Sequence, residues 1–411
     1  MQTKIVRIED KTPVREELLT EAARILREGG LVAFPTETVY GLGGNALDAD
    51  ASRKIYAAKG RPSDNPLIVH IAGMEELAPL VEEIPESARR LAEAYWPGPM
   101  TMILKKSARI PAETSGGLDT VAIRMPADPV ASTLIRLAGV PVAAPSANTS
   151  GRPSPTTAEH VIQDMDGRID VILDGGADQA GVESTIVDLS GDHPVLLRPG
   201  AVTVPMLEKI LGPVELDPVL TRPVGPDVHP KAPGMKYRHY APKAEMILVE
   251  AENSCGTAES PCSLEEDSTM RVVREINRLA EEALRMGKRP GILATDETAP
   301  LYRAGEVRSI GRRSDEASVA HNLFAVLREF DSIGVDIIYS EAFPEDDLGL
   351  AIMNRMNKAA GHHRIVVGED GSAAEIENCF YASDLSDNFV AMIDRIFEGQ
   401  AEKVAFKNLD V

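Results

Sequence analysis

Apolar residues along this chain fall into short continuous runs separated by stretches of helical spacing, and that rhythm predicts most of its elements. Leu31-Val32-Ala33-Phe34 reads as a buried strand, preceded by an amphipathic helix over 13–28 that Gly29-Gly30 ends. Pro13 after Thr12 fits the first helical position behind an N-cap. A short helix over 50–58, a strand over 67–71 and helices near 74–82 and 86–95 follow, and Trp96-Pro-Gly-Pro99 must turn. Strands are expected at 100–105, 121–125, 141–144, 170–173, 184–189 and 195–198, with helices near 128–138, 156–164 and 204–211. So many strands with irregular helical insertions predict an α+β or mixed α/β sheet rather than a regular doubly wound one.

The pattern changes after residue 212. Residues 213–243 hold seven prolines and little periodicity, so an extended linker is expected. Strand and helix then alternate at 245–250, 270–286, 290–294, 316–331, 335–340, 347–360 and 364–367, the rhythm of a small parallel α/β unit. Residues 251–267 are polar and suggest a surface loop; 386–398 suggest an additional helix. The expected division is 1–212, a linker 213–243, and 244–411. Within 347–360, Leu350, Met353, Met356 and Ala360 have core spacing, while Asn354 and Arg355 are candidates for an interdomain contact.

At 411 residues and 43% apolar content the chain can form two cores. No apolar run reaches the roughly 18 residues that a membrane helix needs, and the first residues lack the apolar region of a signal peptide. A cytoplasmic protein that meets no membrane is the expectation. Cys255, Cys262 and Cys379 match no zinc spacing and read as free thiols. The net charge is −21, of which −6 falls in 1–243 and −15 in 244–411. Such acidity argues against a broad nucleic-acid surface, but leaves room for a local basic pocket.

Five polar clusters stand at predicted strand or helix ends: Phe34-Pro-Thr-Glu-Thr-Val-Tyr-Gly41, Lys59-Gly-Arg-Pro62, Asn65-Pro-Leu-Ile-Val-His70, Gly117-Leu-Asp-Thr-Val-Ala-Ile-Arg124 and Ala144-Pro-Ser-Ala-Asn148. Strand ends are where open sheets place ligands. No glycine-rich phosphate loop of either familiar form is present. By themselves Lys59 and Arg61 read as a solvated pair at a helix end, Ser146 and Asn148 as turn formers, and His70 as a structural histidine.

In order and spacing, the clusters resemble the Sua5/YrdC family, threonylcarbamoyl-AMP synthases of tRNA modification. The segment Ala232-Pro-Gly-Met-Lys-Tyr-Arg-His-Tyr-Ala-Pro242 resembles the long, two-domain Sua5 form. The resemblance spans about residues 5–370, and Lys-x-Arg followed by Ser-x-Asn is the family's signature. It implies a YrdC-like mixed α/β N-terminal domain and a smaller Rossmann-like parallel α/β C-terminal domain. The implied reaction joins ATP, L-threonine and bicarbonate into threonylcarbamoyl-AMP and pyrophosphate, with Mg2+ accompanying ATP. The product would pass to the transferase machinery that modifies tRNA at position 37, without direct tRNA binding here.

Carried onto this chain, the implied ATP contacts are Lys59, Arg61, Asn65, Thr120, Ser146, Asn148, Ser154, Arg198 and Tyr237; Arg198, a charge ending a buried run, also fits a structural salt bridge. The implied threonine contacts are Thr36, His70, Arg124, Ala144 and Ser184. No obligatory nucleophile and no metal ligands are identified, and the chemistry reads as positioning and electrostatics. Two rival readings differ in class. A nucleic-acid-binding module is opposed by the shortage of basic residues. A carbamoyl-transfer enzyme of the hydrogenase-maturation type is opposed by the absence of any Cys-x2-Cys pair.

Overall fold

A computed structural model describes residues 2–9, 13–220, 230–233, 235, 239–252 and 261–376. The first part is built on an eleven-stranded mixed sheet. Its spatial order is Lys4–Arg7, Val171–Asp174, Val32–Phe34, Gly41–Asn45, Val142–Ala143, Ile68–His70, Thr120–Arg124, Met100–Lys105, Thr185–Asp188, Val195–Arg198, Glu215–Leu216. Six of its ten neighbouring pairs join strands that are not consecutive in the chain. Lys4–Arg7, for instance, runs parallel to Val171–Asp174. Helices Glu16–Arg27 and Pro129–Ala138 pack on one face around Leu19, Leu26, Leu134 and Phe34, and a second core lies on the other face.

The second part is a six-stranded sheet in the order Glu306–Ser309, Pro290–Ala294, Ile337–Glu341, Glu245–Ala251, Arg364–Val367, Ala373–Ile376. All neighbours are parallel except the last pair. The helix Pro261–Arg285 covers one face and the helices Glu316–Ile333 and Asp347–Ala359 the other. That second face meets the first domain: Val39, Val182 and Tyr240 join its apolar cluster.

Several expectations need correction. The first helix starts at Glu16, after Arg15, and Pro13 lies in a turn outside it; two acidic residues then occupy its positive end. Residues 74–82 form two 3-10 turns, Met74–Glu76 and Ala78–Leu80, because Pro79 cannot donate to a continuing helix. The linker is not wholly extended: Glu215–Leu216 adds a strand to the first sheet, and Pro218–Leu220 forms a 3-10 turn. The stretch 251–267 is not a single loop, since Ala251 ends a strand and a helix starts at Pro261. The second domain is not wholly parallel, because Ala373–Ile376 returns antiparallel. Met353, Met356 and Ala360 do enter the second core, whereas Leu350 packs against the first domain's core. Residues 386–398, Cys255 and Cys379 lie outside the described residues.

The strand Gly41–Asn45 was missed because three of its five residues are glycine, which weakens a strand pattern. Packing requires them: a Cβ on Gly43 would stand 2.7 Å from Phe34 Cε1 and 2.8 Å from Val142 Cγ1. The strand therefore runs against its neighbours with no side chain between, and brings residues 35–40 to the edge of a cleft.

A candidate active site between the domains

Three sheet features converge on that cleft. Ile68–His70 runs parallel to Thr120–Arg124 with His70 opposite Arg124, so these two side chains end adjacent strands together. Val32–Phe34 ends beside them and leads into the Pro35–Tyr40 loop. An isolated bridge from Gly41 to Ser146 ties in the Ala144–Asn148 turn. Arg198 closes the far side after a register shift that follows Leu196. Of the residues expected in the site, Thr36, Arg61, His70, Arg124, Ala144, Ser146, Ser184 and Arg198 line one cavity of about 40 Å3.

Other expected residues stand behind these. Lys59 is fully buried at the end of helix Ala49–Lys59, and its ammonium donates to the Ser146 and Asn148 carbonyls. Asn148 donates through Nδ2 to the Thr149 and Arg152 carbonyls, and Ser146 Oγ donates to Asn148 Oδ1 at 2.6 Å. The Lys-x-Arg and Ser-x-Asn pairs thus form one hydrogen-bonded unit. Arg61 donates to the Asn65 carbonyl and side chain and to the Pro66 carbonyl, at 2.6–3.1 Å. Ser154 Oγ lies 2.5 Å from Glu183 Oε1. Thr120 does not line the cavity; it begins the strand whose other end is Arg124, roughly 13 Å away at strand rise. Tyr237 lies outside the described residues.

The electrostatics are unusual. Arg198 is buried, with Nε 3.0 Å from the Ser184 carbonyl and Nη2 3.1 Å from Ser184 Oγ. Among the described residues, Lys59, Arg61 and Arg198 make ion pairs to no carboxylate and are held by neutral acceptors. Burial, opposed in part by Tyr56, pushes the Arg61 guanidinium down to about 10. Burial does the same to Arg198, and together with the Arg61 charge it pushes Lys59 well below its ordinary value. Buried cations without an anion are costly, so the arrangement favours a negatively charged ligand.

Around the expected threonine contacts, hydrogen bonds run in one direction. Arg124 Nη1 donates to Thr38 Oγ1 at 2.9 Å, Thr38 donates to Thr36 Oγ1 at 2.9 Å, and Thr36 donates to the Val39 carbonyl at 2.7 Å. The Thr36 hydroxyl is therefore engaged in shaping its loop. Arg124 also pairs with Glu37 at 2.7 Å, and burial of that carboxyl is outweighed by the Arg124 charge, which holds it below the usual range. Ser184 Oγ meets Thr101 Oγ1 at 2.7 Å.

His70 donates from Nδ1 to the Ile68 carbonyl at 3.1 Å, and burial, then the Arg124 charge, pushes it down to about 3. It is neutral in the folded protein at all ordinary pH values. The unfolded chain takes up a proton near pH 6.5 that the folded chain refuses, so stability is full above that pH and falls as pH drops from 6.5 toward 3. Between pH 7 and 5 this residue alone contributes a loss of about 2 kcal/mol. Urea unfolding at both pH values should show a decline in the wild-type chain that His70→Gln reduces by about that amount. Equal declines would mean that His70 is protonated when folded.

The residues that close the cleft, Glu183, His239 and Tyr240, belong to two clusters that the sequence offers. These are Glu183-Ser-Thr185, expected beside the substrate, and Lys236-Tyr-Arg-His-Tyr240, expected across the nucleotide, although none of the three is singled out as a contact. The last two are supplied by the segment between the domains. Tyr240 stacks on Phe324 of the second domain at 5.1 Å and has φ of +63°, a left-handed backbone that a bulky residue seldom adopts. Glu183 is clasped by Arg355: Nε lies 3.1 Å from its carboxylate and Nη2 3.2 Å from its carbonyl, and Nη1 reaches the Pro199 carbonyl. Burial raises the Glu183 carboxyl, but Arg355 and Arg198 outweigh it and hold it below the ordinary range. The second domain thus grips the two loops that carry Ser184 and Arg198. Nearby, Arg328 pairs with Asp164 at 2.7 Å, and Arg152 bridges Asp164 and Asp331 at 3.1 and 2.9 Å.

Residues 24–200 match the family described as "Telomere recombination", and residues 202–361 match "Threonylcarbamoyl-AMP synthase, C-terminal domain". A threonylcarbamoyl-AMP synthase of Pyrococcus abyssi is 48% identical over 355 residues, which cover 86% of this chain and 97% of the relative. The chain belongs to the two-domain Sua5 family. A Bacillus subtilis threonylcarbamoyl-AMP synthase is likewise 48% identical, over 365 residues that cover 88% of this chain and 99% of its own. The crystal structure of P. abyssi Sua5 complexed with L-threonine matches this Sua5 family member with a TM-score of 0.80 and 46% identity, covering 89% of this chain and 100% of that one. Both domains and the segment that joins them are therefore shared with the family. No helix among the described residues is long and apolar enough to cross a membrane.

Proposed function

We propose that this protein makes L-threonylcarbamoyl-AMP from L-threonine, bicarbonate and ATP. The observation that carries the reading is the pair Arg61 and Arg198, buried at one cleft and held by neutral groups only, with Lys59 buried behind the Ser146–Asn148 turn. A polyphosphate is the anion that suits such a field, and a guanidinium binds phosphate oxygens in pairs. The threonine amine combines with bicarbonate to give a carbamate and water. A carbamate oxygen then attacks the α-phosphorus while the bond to the β-phosphate oxygen breaks, and pyrophosphate leaves. Two anions must meet for this step, and the cations lower that barrier without any covalent role for the protein.

Arg124 and Ser184 hold the amino acid in this reading, with His70 as a neutral wall of the same subsite. Among the described residues, no group of three or more His, Cys, Asp or Glu could hold a metal ion. Ser146, which lines the cleft and is held by Asn148, suits a water of a magnesium ion that would arrive on the phosphates. The mixed anhydride so formed hydrolyses readily. It therefore suits a site roofed by His239 and Tyr240, and a prompt transfer to the machinery that modifies tRNA.

The test is pyrophosphate release from ATP with threonine, bicarbonate or both omitted; release should require all three. Valine, nearly isosteric but without the hydroxyl, should be poorer than threonine by at least about a hundredfold in kcat/KM, because a polar subsite rejects an analogue that leaves it unpaired. Equal turnover of valine would overturn the substrate reading.

A further inference from the structure

Arg355 is not the only arginine of the second domain that enters the first. Arg328, on the helix Glu316–Ile333, is 2% exposed and reaches the loop that follows the Ser146–Asn148 turn. Its Nε and Nη2 both donate to the Pro153 carbonyl, at 3.2 and 2.7 Å, and Nη2 also donates to Asp164 Oδ2 at 2.7 Å. The same carboxylate oxygen accepts from the Thr149 backbone N–H at 3.1 Å, while Oδ1 accepts from Arg152 Nη1 at 3.1 Å. Asp331, one turn beyond Arg328 on its helix, accepts from Arg152 Nη2 at 2.9 Å. The Ala241 N–H, from the segment between the domains, donates to the Gly151 carbonyl at 2.9 Å. Residues 149–153 are thus gripped from outside the first domain.

On its inner side the same loop is continuous with the cleft. Asn148 Nδ2 donates to the Thr149 and Arg152 carbonyls at 2.8 and 3.0 Å. Asn148 Oδ1 in turn accepts the hydroxyl of Ser146, which lines the cavity. The Ser150 N–H donates to the carbonyl of Lys59, whose ammonium holds the Ser146 and Asn148 carbonyls. An unbroken run of hydrogen bonds therefore leads from Arg328 through Asp164, Thr149 and Asn148 to the Ser146 hydroxyl. We propose that Arg328 is a positioning residue for ATP, acting from the second domain through this run to aim Ser146 into the nucleotide site. Ser154, next to Pro153, is bound to Glu183, but that carboxylate keeps Arg355 whatever Arg328 does. The effect therefore falls on the nucleotide rather than on the amino acid. Asp164 likewise keeps Arg152 when Arg328 is replaced, so no buried carboxylate is orphaned.

The inference rests on reading the cleft as the ATP site. Calorimetric titration with ATP and magnesium, and separately with L-threonine, tests it on the full chain, Arg328→Met, Ser146→Ala and the double variant. Arg328→Met should weaken ATP by at least about fivefold, within the range that hydrogen-bonded networks transmit, and threonine by less than about twofold. In the Ser146→Ala background the same substitution should weaken ATP by less than about twofold, because the group it aims is gone. Arg328→Lys keeps the buried charge and loses the fork on Pro153; it should show a smaller loss with the same selectivity, and it replaces the methionine variant if that one does not fold. Three results would each overturn the inference and leave the ATP reading intact: unchanged ATP affinity in the folded variants, equal loss for ATP and threonine, or a full loss that persists without the Ser146 hydroxyl. If the wild-type chain binds no ATP, the ATP reading fails and the inference fails with it.

Discussion

Arg61→Ala lowers adenylate formation by at least about tenfold, with the loss mainly in kcat/KM for ATP. One charge-assisted contact to phosphate contributes about 1.5–3 kcal/mol, which sets that scale. The side chain also ties down Asn65 and Pro66, so part of any loss could come from a loosened loop. Arg61→Lys distinguishes the two. It keeps the charge and loses the fork, and should recover part of the ATP affinity while leaving the loop as loose as alanine does. Thermal unfolding of each variant checks the loop. Full activity in a folded Arg61→Ala protein would remove Arg61 from the ATP site.

Arg355→Ala should be the most damaging change outside the cations of the first domain. It leaves the Glu183 carboxylate buried, with Ser154 and no positive partner in contact, and frees the Pro199 carbonyl. Breaking a buried pair in this way costs about 3–5 kcal/mol. The loss should appear in denaturant unfolding and in turnover alike, because Ser184 and Arg198 hang on the same two loops. The double variant Arg355→Met with Glu183→Leu removes both charges and should recover much of the stability while activity stays low. If stability returned together with activity, the pair would have no part in holding the site.

The sequence carried the local half of this site. A buried run followed by Pro-Thr-Glu-Thr, and a helix closed by Lys59-Gly60, each announce themselves within a few residues. His70 and Arg124 end two separate runs, and each run marks its own end. What could not be read was long-range. Arg355 is expected to contact the other domain and does, but nothing near Glu183, 172 positions away, names it as the partner, and Thr120 and Arg124 share a motif although one strand carries them to opposite ends. The strand at 41–45 was hidden because its glycines serve the packing of neighbouring strands rather than their own propensity. The cluster Lys236-Tyr-Arg-His-Tyr240 reads as a cover for the nucleotide with Tyr237 as its contact; Tyr237 lies outside the described residues, and His239 and Tyr240 of the same cluster line the cleft.

The pairing of Lys4–Arg7 with Val171–Asp174 has a consequence for how the protein is born. Ribosomes add about 5–20 residues per second, so the first strand waits roughly 8–33 s for the neighbour that completes its edge of the sheet. Glu183 then waits as long again for Arg355. Until Arg355 emerges, the nascent first domain carries the Glu183 carboxylate without its ion-pair partner. Its youngest form is thus open to water and to passing cations.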